Sequence, residues 1–68
     1  MDHADQNDPD MIELVIQLCT RIGMMMEDVT PIALDASRDG LEQRVTELVR
    51  ATRAMAAIAI SAEALLGR

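Results

Sequence analysis

The chain contains no phenylalanine, tyrosine, tryptophan or lysine, and it has a single cysteine and a single histidine. One cysteine excludes an internal disulfide, and one cysteine with one histidine is too few for a structural zinc site, which takes four such ligands. Without aromatic rings, any core must be built from aliphatic side chains and methionine. A core made from 68 residues is small, and domains of this size usually need a disulfide, a metal or a partner chain. We therefore expect self-association.

The charge is strongly biased: 12 aspartates and glutamates stand against six arginines, which gives a formal net charge of −6. Long-range repulsion disfavours binding to nucleic acid or to an anionic membrane. Arg21 and Glu63 interrupt the apolar stretches, which argues against a membrane span. The acidic amino terminus lacks the basic flank of a signal peptide, and a free cysteine without an export signal is typical of the cytoplasm. We therefore predict a cytoplasmic location.

Two apolar stripes, with alternating steps of three and four residues, dominate the chain. The first comprises Met11, Val15, Leu18, Ile22, Met25 and Val29, and the second comprises Leu41, Val45, Leu48, Thr52, Met55, Ala59, Ala62 and Leu66. Such spacing is typical of helices that pack lengthwise against other helices. The predicted fold is all-α, an antiparallel two-helix hairpin that forms a four-helix bundle by homodimerisation.

Local signals set the predicted bounds of these helices. Asp8 is a good N-cap and Pro9 suits the first helical position, whereas Pro31 favours an earlier end to the first helix. Asp39 and Glu42 could form a capping box at the start of the second helix, although Thr30 could instead cap a helix that continues through Gly40. The predicted segments are a disordered acidic tail (1–7) and one domain (8–68) made of helix one (9–28), a turn (29–38) and helix two (39–66).

More apolar surface is present than one hairpin seam can cover. Helix one carries a second stripe beside the first, and helix two is apolar all round beyond Arg53, which is typical of a helix that is buried on every side. Helix two is also predicted to be about seven residues longer, so its apolar end would project beyond helix one. The residues predicted to form the oligomer interface are Ile12, Ile16, Cys19, Met26, Met55, Ile58, Ile60 and Leu65.

The few residues that could carry chemistry do not form a recognisable site. Cys19 lies on an apolar stripe with no histidine on either helix to act as a base, so we interpret it as a structural residue. Three consecutive methionines, Met24 to Met26, point about 100° apart on a helix and cannot converge on one copper ion. His3, with a free terminal amine, could bind Cu(II) or Ni(II), but a solvated tail is the preferred interpretation. No metal, cofactor or enzymatic activity is expected.

Glu63 lies among the apolar residues of helix two, where an unpaired carboxylate would be costly. It is interpreted either as a polar residue that fixes the packing register or as a functional carboxylate, and the sequence leaves both open.

The arginines of helix two allow a second interpretation of function. Arg44, Arg50 and Arg53 are predicted to share the outer side of helix two, where they could contact phosphate or an acidic partner. In length and inferred architecture, without a shared motif, the chain resembles the plasmid-encoded RNA-binding hairpins of the Rop type, which would imply a nucleic-acid-related regulator. The preferred function is a non-enzymatic interaction or regulatory module that binds a second copy of itself, most readily as a dimer, and that could also bind another protein.

Overall fold

The computed structural model describes residues 8–67, which form two α-helices joined by a short turn. The first helix, α1, spans Pro9–Leu34 and the second, α2, spans Leu41–Leu65. The two helices are antiparallel and pack along their length, and no strand occurs within the described residues. The predicted all-α hairpin is therefore confirmed. The predicted acidic tail, 1–7, lies outside the described residues, and so does His3.

The start of α1 follows the predicted capping pattern. Asp8 adopts an extended backbone conformation, and its carboxylate accepts a hydrogen bond of 2.9 Å from the backbone N–H of Asp10. Pro9 occupies the first helical position, where no N–H is needed. Asp10 also places negative charge at the positive end of the helix dipole.

The end of α1 lies six residues beyond the predicted position, because the helix continues through Pro31. A proline inside a helix removes one backbone hydrogen bond and disfavours the helical conformation of the residue before it. Thr30 nevertheless stays helical, and its hydroxyl donates to the backbone carbonyl four residues earlier at 2.7 Å. Val29 and Ile32 are both half-buried, so continuing the helix across Pro31 keeps two side chains packed against α2.

The turn between the helices, 35–40, is held by one arginine from α2. The Nη2 atom of Arg44 donates to the Ser37 carbonyl (2.6 Å), the Ser37 hydroxyl (2.9 Å) and the Asp39 carbonyl (3.1 Å). Its Nε atom lies 3.7 Å from a carboxylate oxygen of Asp35, and its side chain is only 11% exposed. The pKa of Asp35 is lowered, mainly because its carboxylate accepts a hydrogen bond from the backbone N–H of Ser37. The positive charge of Arg44 lowers this pKa further.

The capping box predicted at Asp39 and Glu42 does not form. The N-cap of α2 is Gly40, which has no side chain to offer and adopts a left-handed conformation with φ of 69°, a region where glycine avoids the steric cost of a Cβ atom. α2 therefore begins at Leu41 and contains 25 residues against 26 in α1. The helices are nearly equal in length, and the predicted overhang of α2 is wrong. Gly67, with φ of 82°, follows the end of α2 as predicted.

The residues between the helices, called the seam, recur every three or four positions. They are Met11, Val15, Leu18, Ile22, Met25, Val29 and Ile32 on α1, and Arg44, Leu48, Ala51, Met55, Ile58, Ala62 and Leu65 on α2. The stripe predicted for α1 is confirmed and gains Ile32. The stripe predicted for α2 is partly wrong, since Leu41, Val45, Thr52 and Ala59 are exposed.

The contacts of Arg44 give a first testable expectation. Arg44→Ala removes several charge-assisted hydrogen bonds from the turn, and we expect the free energy of unfolding to fall by about 1–2 kcal/mol. Urea titration followed by circular dichroism measures this loss. Arg50→Ala is the matched control, because Arg50 is exposed and its removal should change stability by less than about 0.5 kcal/mol. Equal effects of the two substitutions would contradict the role given to Arg44.

Candidate interaction face

The hairpin leaves most of its large apolar side chains in contact with solvent. Among residues 8–67 only Ala62 is buried, with 7% of its surface exposed, whereas ten large hydrophobic residues are more than 40% exposed. A soluble monomer rarely leaves a continuous apolar surface of this kind uncovered, and such surfaces mark interaction sites.

Five of these ten residues directly follow a residue of the seam. The residues in that position are Ile12, Ile16, Cys19, Gly23 and Met26 on α1, and Val45, Val49, Thr52, Ala56, Ala59 and Glu63 on α2; together they are called the apolar face. Each successive residue turns 100° about its helix axis. Seen from one end of the hairpin, α1 turns in one sense and the antiparallel α2 turns in the other. The step therefore brings both sets to the same side.

A groove on this side confirms that the two stripes meet. It has a volume of about 400 Å³ and lies near the open end of the hairpin. Cys19 lines it from α1, and Ala59 and Glu63 line it from α2, together with Val15, Ile22, Ile60, Ala62 and Leu66. Glu63 is the only charged residue in this lining. Apart from Glu63, the groove is thus lined by uncharged and mostly apolar side chains.

The residues predicted to form the oligomer interface divide into two groups. Ile12, Ile16, Cys19 and Met26 are exposed on the apolar face, and Ile60, 63% exposed, lies beside it. Met55, Ile58 and Leu65 are instead half-buried in the seam, so their packing is largely within one chain.

Two residues of the apolar face, Val45 and Val49, are missing from the predicted interface. The sequence pattern places Val45 in the contact between α1 and α2, yet it is 53% exposed, and Val49 is 41% exposed. Arg44 is the signal that could have found both valines. If this arginine belongs to the seam, then Val45 and Val49, which directly follow Arg44 and Leu48, must lie outside the seam.

The three arginines do not form the predicted patch. Arg44 points between the helices and is bound to the turn, whereas Arg50 and Arg53 are exposed on the far side of α2. A phosphate contact on α2 would therefore depend on Arg50 and Arg53 without Arg44.

The remaining candidate groups are also placed. The thiol of Cys19 is free and exposed, and Met24 is 62% exposed on the side opposite the apolar face. Within the described residues, no three His, Cys, Asp or Glu side chains come close enough together to hold a metal ion. Neither described helix combines the length and the apolar composition needed to cross a membrane.

No family model, curated protein or solved structure shows a significant match to this chain.

Proposed function

We propose that this protein is a non-enzymatic interaction or regulatory module that works as a homodimer, in which two hairpins meet through their apolar faces and form a four-helix bundle. The observation that carries the proposal is that five exposed Ile, Val and Met side chains lie together on the apolar face: Ile12, Ile16, Met26, Val45 and Val49. A second copy offers the same surface, as a two-fold interface requires.

The area of the apolar face matches what a stable dimer needs. Two helices side by side, each about 10 Å wide and about 38 Å long, present roughly 750 Å² on one side. Specific protein interfaces of standard size bury about 800 Å² on each partner. One hairpin can therefore supply a complete interface without any additional segment.

The opposite side of the hairpin supports the role of an interaction module. It combines exposed apolar residues such as Leu14 and Met24 with charged ones such as Arg21, Asp28 and Arg50. Transient protein interfaces have this mixed composition, with apolar anchors among polar groups. After dimerisation, this surface would remain available to a further protein on both sides of the bundle.

We propose a protein without enzymatic activity because the groove offers few reactive groups. Cys19 and Glu63 are the only lining residues with a nucleophilic or titratable side chain, and residues 8–67 contain no histidine to serve as a base. Activation of a cysteine requires such a base or a similar stabiliser of the thiolate.

The dependence of thermal unfolding on concentration tests this proposal. Because a second copy binds only the folded chain, mass action favours the folded state, and Tm should rise by about 5 °C for each tenfold increase in protein concentration. Circular dichroism at 222 nm across the micromolar range provides the measurement. A Tm that does not change with concentration would contradict the dimer.

A further inference from the structure

The relative orientation of the two copies follows from the charges that border the apolar face. Each helix has an outer edge that borders the apolar face. The outer edge is formed by residues that are seven positions apart, each of which directly follows a residue of the apolar face. On α1 this outer edge consists of Glu13, Thr20 and Glu27, and on α2 it consists of Thr46, Arg53 and Ile60. The α1 edge therefore carries only negative charge, and the α2 edge carries one positive charge.

Glu27 and Arg53 lie at the same height along the hairpin. The groove brings residues 15–22 of α1 opposite residues 59–66 of α2. Counting eight residues from the middle of this groove toward the turn reaches Glu27 on α1. The same count on α2 ends within about one residue of Arg53. Because both helices rise 1.5 Å per residue, the two positions remain level.

Within the described part of its own chain, neither side chain finds an opposite charge. Among residues 8–67 the ion pair that forms is Arg44 with Asp35, and neither Glu27 nor Arg53 has an opposite charge three or four residues away on its own helix. Both are exposed, so each is available to a partner molecule.

We propose that the second copy docks with its α2 on α1 of the first, so that both turns lie at the same end of the bundle and Glu27 pairs with Arg53 of the second copy. The two-fold axis runs along the bundle and produces this pair twice. This inference rests on the proposed dimer and adds its orientation and the residues that select it. Charges that flank an apolar seam set helix orientation in the same way in coiled coils.

The competing dimer places the two turns at opposite ends and packs α1 on α1 and α2 on α2. In that arrangement Arg53 could reach Glu63 of the second copy, but Glu27 and Glu13 of the two chains would lie close together along the α1 pair. Each attraction would then be offset by a repulsion between like charges. Along the outer edges, the arrangement with both turns at one end forms two attractive pairs and no repulsive one.

Charge reversal and mixing test the orientation. Glu27→Arg and Arg53→Glu, each studied alone, place like charges at both pairs of a homodimer, and each should weaken dimerisation by about 10-fold to 100-fold at low salt. A mixture of the two variants restores both pairs, because the arginine introduced in one chain then meets the glutamate introduced in the other, and the two unchanged side chains meet as before. Sedimentation equilibrium should show that the mixture associates about as tightly as the unmodified protein.

Two further charge reversals serve as controls. Asp28→Arg and Arg50→Glu reverse exposed charges away from the face and should leave the dimer unchanged, and circular dichroism should show the same helix content for all four variants. Tighter dimerisation of Glu27→Arg would indicate the competing arrangement and overturn the orientation, and so would a mixture that stays weak. An unmodified protein that sediments as a monomer would overturn the proposed function itself.

Discussion

Ile16→Glu is expected to weaken the dimer by about 100-fold or more while leaving the hairpin folded. Ile16 is 52% exposed in the single chain, so a carboxylate there has access to water until a second copy arrives. In the dimer the substitution removes the burial of two isoleucines, worth about 1.5–3 kcal/mol each, and brings two charges into an apolar interface. Sedimentation at several concentrations measures the dissociation constant.

Met24→Glu provides the matched control for this substitution. Met24 lies on the same helix and is 62% exposed, but it points away from the apolar face. Its replacement should leave the dissociation constant within about twofold, as expected for a surface position outside the interface. If both substitutions weaken association equally, the apolar face does not form the interface.

Leu18→Ala is expected to destabilise the folded hairpin itself, and not only the dimer. Leu18 lies in the seam against α2, and truncating a packed leucine costs about 2–5 kcal/mol, toward the lower end here because the seam is only half-buried. A domain of this size has few kcal/mol to lose. We therefore expect most of the helix signal at 222 nm to be lost at micromolar concentration.

A neighbouring substitution distinguishes this effect from a general loss of apolar surface. Leu14→Ala truncates the same side chain on the same helix, but Leu14 is 43% exposed and lies outside the seam. Its cost should remain below about 1 kcal/mol. Equal helix loss in both variants would contradict the assignment of Leu18 to the seam.

The packing of α1 could be predicted from the sequence because only one of its stripes is apolar throughout. The stripe from Met11 to Val29 coincides with the observed seam, whereas the neighbouring stripe is interrupted by Gly23. The N-terminal cap at Asp8 was equally predictable, since a side-chain acceptor followed by proline is a strong local signal.

The packing of α2 could not be settled in the same way, because two adjacent stripes are similarly apolar. The observed seam begins at Arg44, and a charged residue in that position made the stripe through Val45 the more apolar choice. Only the completed turn shows that Arg44 reaches the backbone of Ser37 and Asp39 and so satisfies its charge between the helices. The stripe expected to contact α1 thus became part of the apolar face.

Pro31 marks a second point where local rules were overridden. Proline disfavours a helical residue before it, and that preference alone predicts a break near Thr30. The packing of Val29 and Ile32 against α2 outweighs it, as tertiary contacts often outweigh local propensity. Because α1 is longer than predicted, α2 has no overhang for a partner chain to cover. The surface that a partner would cover is the apolar face.

Sedimentation equilibrium of the unmodified protein, from low to high micromolar concentration at physiological salt, tests the central claim most directly. Two hairpins joined through their apolar faces should sediment at twice the chain mass of 7.5 kDa at the upper concentrations and dissociate on dilution. A folded species that remains at the single-chain mass throughout this range would contradict the dimer.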